Sequence, residues 1–142
     1  MVGVPEEYHW KYPASMENID RICSEAAAVF DQYLLNTKDR FAIELLMREA
    51  LNNAVIHGCQ NDTSMSISCG VKITPGEVTI EVADGGKGFD WHSAPCNPSE
   101  PGCENGRGMS IYSFYASSIV FNDSGNCVIL TRIIEGGIYA RD

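Results

Sequence analysis

Positive charge is scarce in this chain. Among its 142 residues, 10 lysines and arginines face 19 aspartates and glutamates, which gives a formal net charge of −9. Because nucleic-acid backbones bind to basic surfaces, this balance argues against a direct nucleic-acid partner. It does not argue against a single nucleotide, which backbone N–H groups and a metal ion can hold without net positive charge.

Segments that direct a chain to a membrane are also missing. No apolar run is long enough to span a bilayer. The first residues lack the basic start and the apolar stretch of a signal peptide. We therefore expect a cytoplasmic protein without a membrane partner.

The six cysteines form no metal-binding pattern. None belongs to a C-x-x-C pair, and no cysteine–histidine cluster has the spacing of a zinc site. In a reducing compartment we expect six free thiols. Cys23, Cys69 and Cys127 are expected in the core because they fall at apolar positions, whereas Cys96 and Cys103 share a loop and could form a disulfide on oxidation.

The composition is that of a globular protein, with 44% apolar and 20% charged residues. Its length predicts a single domain over residues 1–142. Residues 7–12 predict a strand. Ser15 is a good N-cap for a first helix, whose apolar residues keep helical spacing as far as Leu34, and Asn36 is expected to end it.

A second helix is predicted over about residues 38–57. Thr37 is expected to cap it, and Gly58 is a natural C-terminal residue. Its polar face is expected to carry a surface ion pair of Glu44 with Arg48, beside Asn52.

The pattern then changes to that of strands. Apolar residues alternate with polar ones over 65–73 and again over 78–82, which predicts a hairpin. Pro75-Gly76 suits the centre of a type II turn. The glycine- and proline-rich stretch 84–106 predicts a long loop, and loops of that length are often functional lids.

A short helix over 106–115 and a last hairpin of residues 118–121 and 127–134 complete the order. This sequence of elements predicts an α/β (α+β) two-layer sandwich, with a mainly antiparallel mixed sheet and helices on one face.

The second helix carries two polar residues inside its apolar arc, Glu49 and Asn53. A buried carboxylate is costly unless it is paired, so such exceptions tend to mark sites. Alternatively, the two side chains cap or bridge neighbouring backbone groups. His57 faces the same side, and we expect it to hydrogen-bond a nearby carbonyl group rather than act in catalysis.

Two glycine-rich segments follow. Residues 84–89 read D-G-G-K-G-F directly after a strand, where glycines allow close approach to a ligand and Asp84 can accept a hydrogen bond from an exocyclic amine. Residues 105–109 read N-G-R-G-M and open a helix, where free N–H groups attract an anion. Each alone is equally consistent with a tight turn or a hinge, and neither is a P-loop.

Together, these segments resemble the Bergerat-type ATPases and kinases, the histidine kinase-like superfamily. The resemblance rests on E-A-x-x-N-A-x-x-H-G at 49–58, D-x-G-x-G-F at 84–89 and G-x-G-M at 106–109. It is closest to the stand-alone bacterial anti-sigma factor serine/threonine kinases and extends over residues 7 to 134.

This resemblance implies ATP and Mg²⁺ as cofactors. Glu49 would be the general base, Asn53 the magnesium ligand and Asp84 the acceptor for the adenine amino group. The implied nucleotide-binding residues around them are Gly86, Gly88, Phe89, Gly106, Gly108 and Met109, with residues 90–105 as the ATP lid.

The chain departs from the family in two places. Glu104 stands where some members have an arginine, which leaves Arg107 as the candidate catalytic partner of the γ-phosphate. Asn126 follows Gly125 where members tend to have Gly-Thr near the adenine.

The resemblance implies a partner-switching kinase that binds a sigma factor and phosphorylates an anti-anti-sigma antagonist, and it suggests a homodimer. An ATP-dependent binding module without kinase turnover is the alternative. A detached histidine-kinase catalytic domain is less favoured, since we see no room for a phosphoacceptor helix pair. A purely structural protein leaves Glu49, Asn53 and the Asp84 turn as coincidences.

Overall fold

The computed structural model describes residues 6–86 and 104–141, with residues 104–109 described by their backbone alone. The elements in chain order are β1 (Glu6–Pro13), α1 (Met16–Phe30), β2 (Tyr33–Leu34), α2 (Thr37–Asn53), a π-helical turn (Ala54–Gly58), β3 (Ser66–Ile73), β4 (Glu77–Asp84), α3 (Glu104–Tyr115), β5 (Ser118–Phe121), β6 (Cys127–Ile133) and β7 (Tyr139–Ala140). Within these ranges, no helix has both the length and the apolar character needed to cross a membrane.

The main sheet has five strands in the order β1-β3-β4-β6-β5, and all its neighbouring strands are antiparallel. Alternate residues of the central strands point into one core, such as Ile67, Val71 and Ile80, whereas Lys72 and Glu81 are exposed. The buried faces of α1 and α2 complete that core. The predicted two-layer α+β architecture is therefore confirmed.

The first helix begins as predicted but ends early. Ser15 caps α1, and its hydroxyl oxygen accepts a hydrogen bond from the backbone N–H of Asn18 at 3.1 Å. The helix ends at Phe30, so the prediction that it continues past Leu34 is wrong. Tyr33 and Leu34 instead form β2, which pairs with β7 near the other end of the described chain. This pairing is non-local, which explains why β7 was not predicted.

The cap of α2 is Asn36 rather than Thr37. Its side-chain oxygen accepts from the backbone N–H of Asp39 at 2.7 Å, and its side-chain nitrogen donates to the Asp39 carboxylate at 2.7 Å. An asparagine satisfies a free N–H and the first-turn carboxylate together, which a threonine hydroxyl in the first helical position does not.

The predicted surface pair on the polar face of α2 is also wrong. Glu44 pairs with Arg40, while Arg48 reaches Asp20 of α1 at 2.9 Å. Asn52 is half-buried, and its side-chain oxygen is enclosed without a hydrogen-bond partner in the described part of the protein. The contact with α1, which helical spacing alone does not reveal, accounts for these differences.

Two smaller predictions also change. Gly76 lacks the positive φ that a type II turn requires; instead, the Thr74 hydroxyl accepts from the backbone N–H of Glu77 at 3.2 Å.

Of the cysteines predicted in the core, Cys69 is buried whereas Cys23 and Cys127 are half-buried. The remaining loop cysteines, Cys96 and Cys103, lie outside the described residues.

Candidate functional site

A cavity opens between the end of α2 and the sheet, with a volume of about 560 Å³ that includes space open to solvent. Its lining comes from α2, the π-helical turn, β4, α3 and the β5–β6 hairpin. The lining residues are Ala50, Asn53, Ala54, His57, Gly58, Val82, Asp84, Tyr112, Phe121, Gly125, Asn126, Cys127 and Val128. An apolar wall with a few convergent polar groups is typical of a small-molecule site.

Asp84 lies at one end of the cavity, where β4 ends. Its Oδ1 accepts a hydrogen bond from the backbone N–H of Gly86 at 2.8 Å. A Cβ atom on Gly58 would overlap the Asp84 carboxylate, and one on Gly86 would overlap the Gly58 carbonyl group. Glycine at both positions is thus required by close packing, since Gly86 does not adopt a positive φ.

Burial raises the pKa of Asp84, and the hydrogen bond from the Gly86 N–H lowers it in part. Each hydrogen-bond donor that reaches a half-buried carboxylate offsets part of the free-energy cost of its burial. With one oxygen held by its own turn, Asp84 can offer the other to the N–H of a ligand.

The cavity wall beside Asp84 is a π-helical turn over Ala54–Gly58, where the backbone N–H of Cys59 bonds to the carbonyl of Ala54 at 2.8 Å. Residues 54–57 were predicted as ordinary α-helix. Single π-helical turns are frequent at functional sites. Here the wider turn places Gly58 against Asp84.

Asn53 lies at the end of α2 and lines the same cavity. Its side-chain nitrogen donates to the hydroxyl of Tyr112 at 2.9 Å. Tyr112 comes from α3 and is only 3% exposed. Burial raises the pKa of this phenol, the hydrogen bond from Asn53 lowers it, and the charge of Glu49 raises it further.

Glu49 lies one helical turn before Asn53 and is half-buried. It is not among the described residues that line the cavity, although its charge acts on Tyr112. The expectation that Glu49 and Asn53 face inward on one side of the helix is consistent with these positions.

The β5–β6 turn closes the cavity near Asp84. The side-chain oxygen of Asn122 accepts from the backbone N–H groups of Gly125 and Asn126 at 2.7 and 3.0 Å. Asn126 then donates from its side chain to the Gly86 carbonyl at 3.1 Å, and its own carbonyl accepts from the Asp84 N–H at 3.0 Å. Hydrogen bonds therefore join the β5–β6 turn to residues 84–86.

The structure brings together Asn53, Asp84 and Gly86, with Glu49 nearby. Two predicted residues, Gly88 and Phe89, lie outside the described residues, as does most of the predicted lid 90–105. Four others lie in α3 where only the backbone is described, namely Gly106, Arg107, Gly108 and Met109. Their roles stay predictions.

Sequence reasoning missed Tyr112 and the fastening role of Asn126. Tyr112 falls on the apolar side of a short helix, where an aromatic residue normally indicates core packing. Its hydroxyl meets Asn53 across 59 positions of the chain, a distance that no local pattern encodes.

The sequence signature of the histidine kinase-like ATPase domain matches residues 12–132. An anti-sigma F factor of Geobacillus stearothermophilus is 30% identical over 124 residues, which cover 84% of this chain and 85% of that protein. An anti-sigma F factor of Clostridium botulinum (strain Eklund 17B / Type B) is 39% identical over 66 residues, so the match spans just under half of that relative, 46%. The chain therefore belongs to the histidine kinase-like ATPase domain family, and its similarity lies with the anti-sigma factors of that family.

Proposed function

We propose that the protein binds ATP with magnesium and acts as a serine/threonine protein kinase of the partner-switching type. In this role it binds a sigma factor and phosphorylates an anti-anti-sigma antagonist. The observation that carries the proposal is the placement of the Asp84 carboxylate and the Asn53 carboxamide along one cavity of a histidine kinase-like ATPase domain.

The adenine end of this cavity is Asp84. Its second carboxylate oxygen can accept a hydrogen bond from the adenine amino group, while the apolar wall of Ala54, Val82 and Val128 suits a planar base. Gly58 and Gly86 allow the Asp84 carboxylate and the Gly58 carbonyl group to pack closely at this end of the cavity.

The phosphate end is Asn53. Magnesium usually takes only one or two protein ligands, with phosphates and water completing its shell. The carboxamide oxygen of Asn53 would be one such protein ligand. Asn53 would hold the ion, whose positive charge would neutralise the charge of the phosphates.

Glu49 is the proposed general base. The hydroxyl oxygen of the antagonist's serine forms a bond to the γ-phosphorus, the bond from that phosphorus to the bridging oxygen of ADP breaks, and Glu49 takes the hydroxyl proton. One rigid helix carries both Glu49 and Asn53, which aligns the base with the phosphate end in advance.

The sigma-factor partner is proposed because the similar proteins are named anti-sigma F factors. An ATP-dependent binding module without turnover is the second candidate. The departure at Glu104 favours it, because some members of the family have there an arginine that can meet the γ-phosphate. At the second departure, the side chain of Asn126 bonds to Asn122 and to the Gly86 carbonyl. A homodimer remains part of the proposal on the family resemblance alone.

Calorimetric titration with ATP, with and without magnesium, tests the nucleotide site. Wild type should bind more tightly with magnesium, and Asp84→Asn should lose affinity under both conditions because the acceptor for the adenine amino group is weakened. An Asp84→Asn variant that binds ATP like wild type would contradict the assignment.

A further inference from the structure

The hydrogen bond between Asn53 and Tyr112 has a direction that matters for a ligand. A carboxamide has a donor end and an acceptor end of nearly the same shape, and rotation by half a turn exchanges them. Packing alone therefore selects poorly between the two orientations. A polar partner must decide which end of Asn53 faces the cavity.

We propose that Tyr112 is a positioning residue, whose phenol oxygen holds the nitrogen of Asn53 and so turns the carboxamide oxygen toward the cavity for a divalent cation. The distance of 2.9 Å from the Asn53 nitrogen to the phenol oxygen is that of a full hydrogen bond. The inference rests on the proposed role of Asn53 as a magnesium ligand.

Burial strengthens this selection. Tyr112 is 3% exposed, so water has little access to compete for its hydroxyl. A polar group enclosed in this way is costly without its partner. The opposite orientation would direct the Asn53 nitrogen into the cavity, where it would repel a cation.

In this pair the phenol oxygen is the acceptor and the Asn53 nitrogen is the donor. The hydrogen bond joins the end of α2 to α3, so the packing of the two helices fixes the orientation of the carboxamide.

Tyr112→Phe removes only the hydroxyl and tests the inference by two measurements. The first is the side-chain NH₂ signal of Asn53 in the NMR spectrum of the protein alone, assigned by its loss in Asn53→Asp. We expect this signal to shift and its protons to exchange faster with water in Tyr112→Phe. This measurement requires neither ATP nor magnesium.

The second measurement is ATP affinity with magnesium and with excess chelator. The magnesium-dependent gain should fall about 10-fold in Tyr112→Phe, a size typical for loss of a partner that orients a metal ligand, while affinity without metal stays unchanged. Tyr115→Phe is the matched control on the same helix, since Tyr115 meets its neighbours through its ring and its backbone carbonyl. It should leave both measurements unchanged.

If Tyr112→Phe behaves like wild type in both measurements, the inference is overturned. The proposed function still stands in that case if Asn53→Ala loses the magnesium-dependent gain in ATP affinity. An equal loss of ATP affinity with and without magnesium would show a packing role and also overturn it. If wild type gains nothing from magnesium, the proposed role of Asn53 fails and the cation role of Tyr112 fails with it.

Discussion

The carboxylate of Asp84 packs directly against the α-carbon of Gly58, with no room between them for a methyl group. This contact joins the end of β4 to the π-helical turn that follows α2. The candidate adenine acceptor is therefore held in place by the backbone of the helix that carries Asn53.

We expect Gly58→Ala to displace the Asp84 carboxylate. The added methyl group should cost about 1–3 kcal/mol of folding free energy, as overpacking usually does, and should weaken ATP binding. Thermal unfolding and calorimetric titration would measure the two effects. Gly85→Ala is the control, because a Cβ atom there meets nothing within 4 Å. Equal behaviour of the two variants would contradict the packing argument.

Replacement of Glu49 separates binding from transfer. Glu49→Gln should keep ATP affinity and slow phosphorylation of the antagonist by about 100-fold or more, as loss of a general base does. Transfer of labelled phosphate in a single turnover is the measurement. Glu44→Gln, on the exposed side of the same helix, should transfer at the wild-type rate, and a fast Glu49→Gln variant would exclude Glu49 as the base.

The ion pair of Asp39 with Arg132 is expected to support the fold. Asp39 is 8% exposed, and Arg132 bonds both to its carboxylate at 2.9 Å and to the backbone carbonyl of Tyr115 at 2.7 Å. Arg132→Met should therefore destabilise the protein by about 3 kcal/mol, as removing one partner of a buried pair does.

The control for that ion pair is Arg48→Met, which breaks the exposed contact with Asp20. Exposed pairs contribute at most about 1 kcal/mol. In chemical denaturation, Arg132→Met should have a clearly lower free energy of unfolding than Arg48→Met. The reverse order would refute the role of the Asp39–Arg132 ion pair in stabilising the fold.

Asp84 should make stability depend on pH. Burial raises its pKa in the folded protein, so the folded state holds the proton more tightly than the unfolded chain does. At a pH above the pKa that Asp84 has in the folded protein, the ionised carboxylate lowers the free energy of unfolding. This cost disappears as the pH falls below the pKa that Asp84 has in the unfolded chain.

The Asp84→Asn variant should consequently gain stability relative to wild type as the pH rises from about 4 toward neutral. Denaturation curves across that range would show the gain. Asp123→Asn, in the exposed β5–β6 turn, is the matched control for loss of one carboxylate outside the cavity. A difference between Asp84→Asn and wild type that does not vary with pH would exclude a raised pKa.

The features that local patterns encode were predicted well. The alternation in β3 and β4 and the cap at Ser15 follow from neighbouring residues, and the structure confirms both. The short strand β2 was missed because its two residues are held by β7. The π-helical turn was missed because the contact that accompanies it, Gly58 against Asp84 of β4, joins distant parts of the chain, and helix propensity does not encode it.

The candidate site divides in the same way. Asn53 and Asp84 lie in recognisable motifs, so the sequence indicated them as candidates. Tyr112 and Asn126 act through hydrogen bonds to residues far away in the chain. Such partners depend on where the helices and turns finally pack, and no spacing in the sequence reports that.

At the proposed adenine end of the cavity, the segments around Asp84 are joined through main-chain atoms, namely the Gly58 carbonyl, the Gly86 amide and carbonyl, and the Asn126 carbonyl. Main-chain groups persist when most side chains change, but they move when a residue is inserted or deleted. Among related sequences, the number of residues in the segments that meet here should thus vary less than their identity.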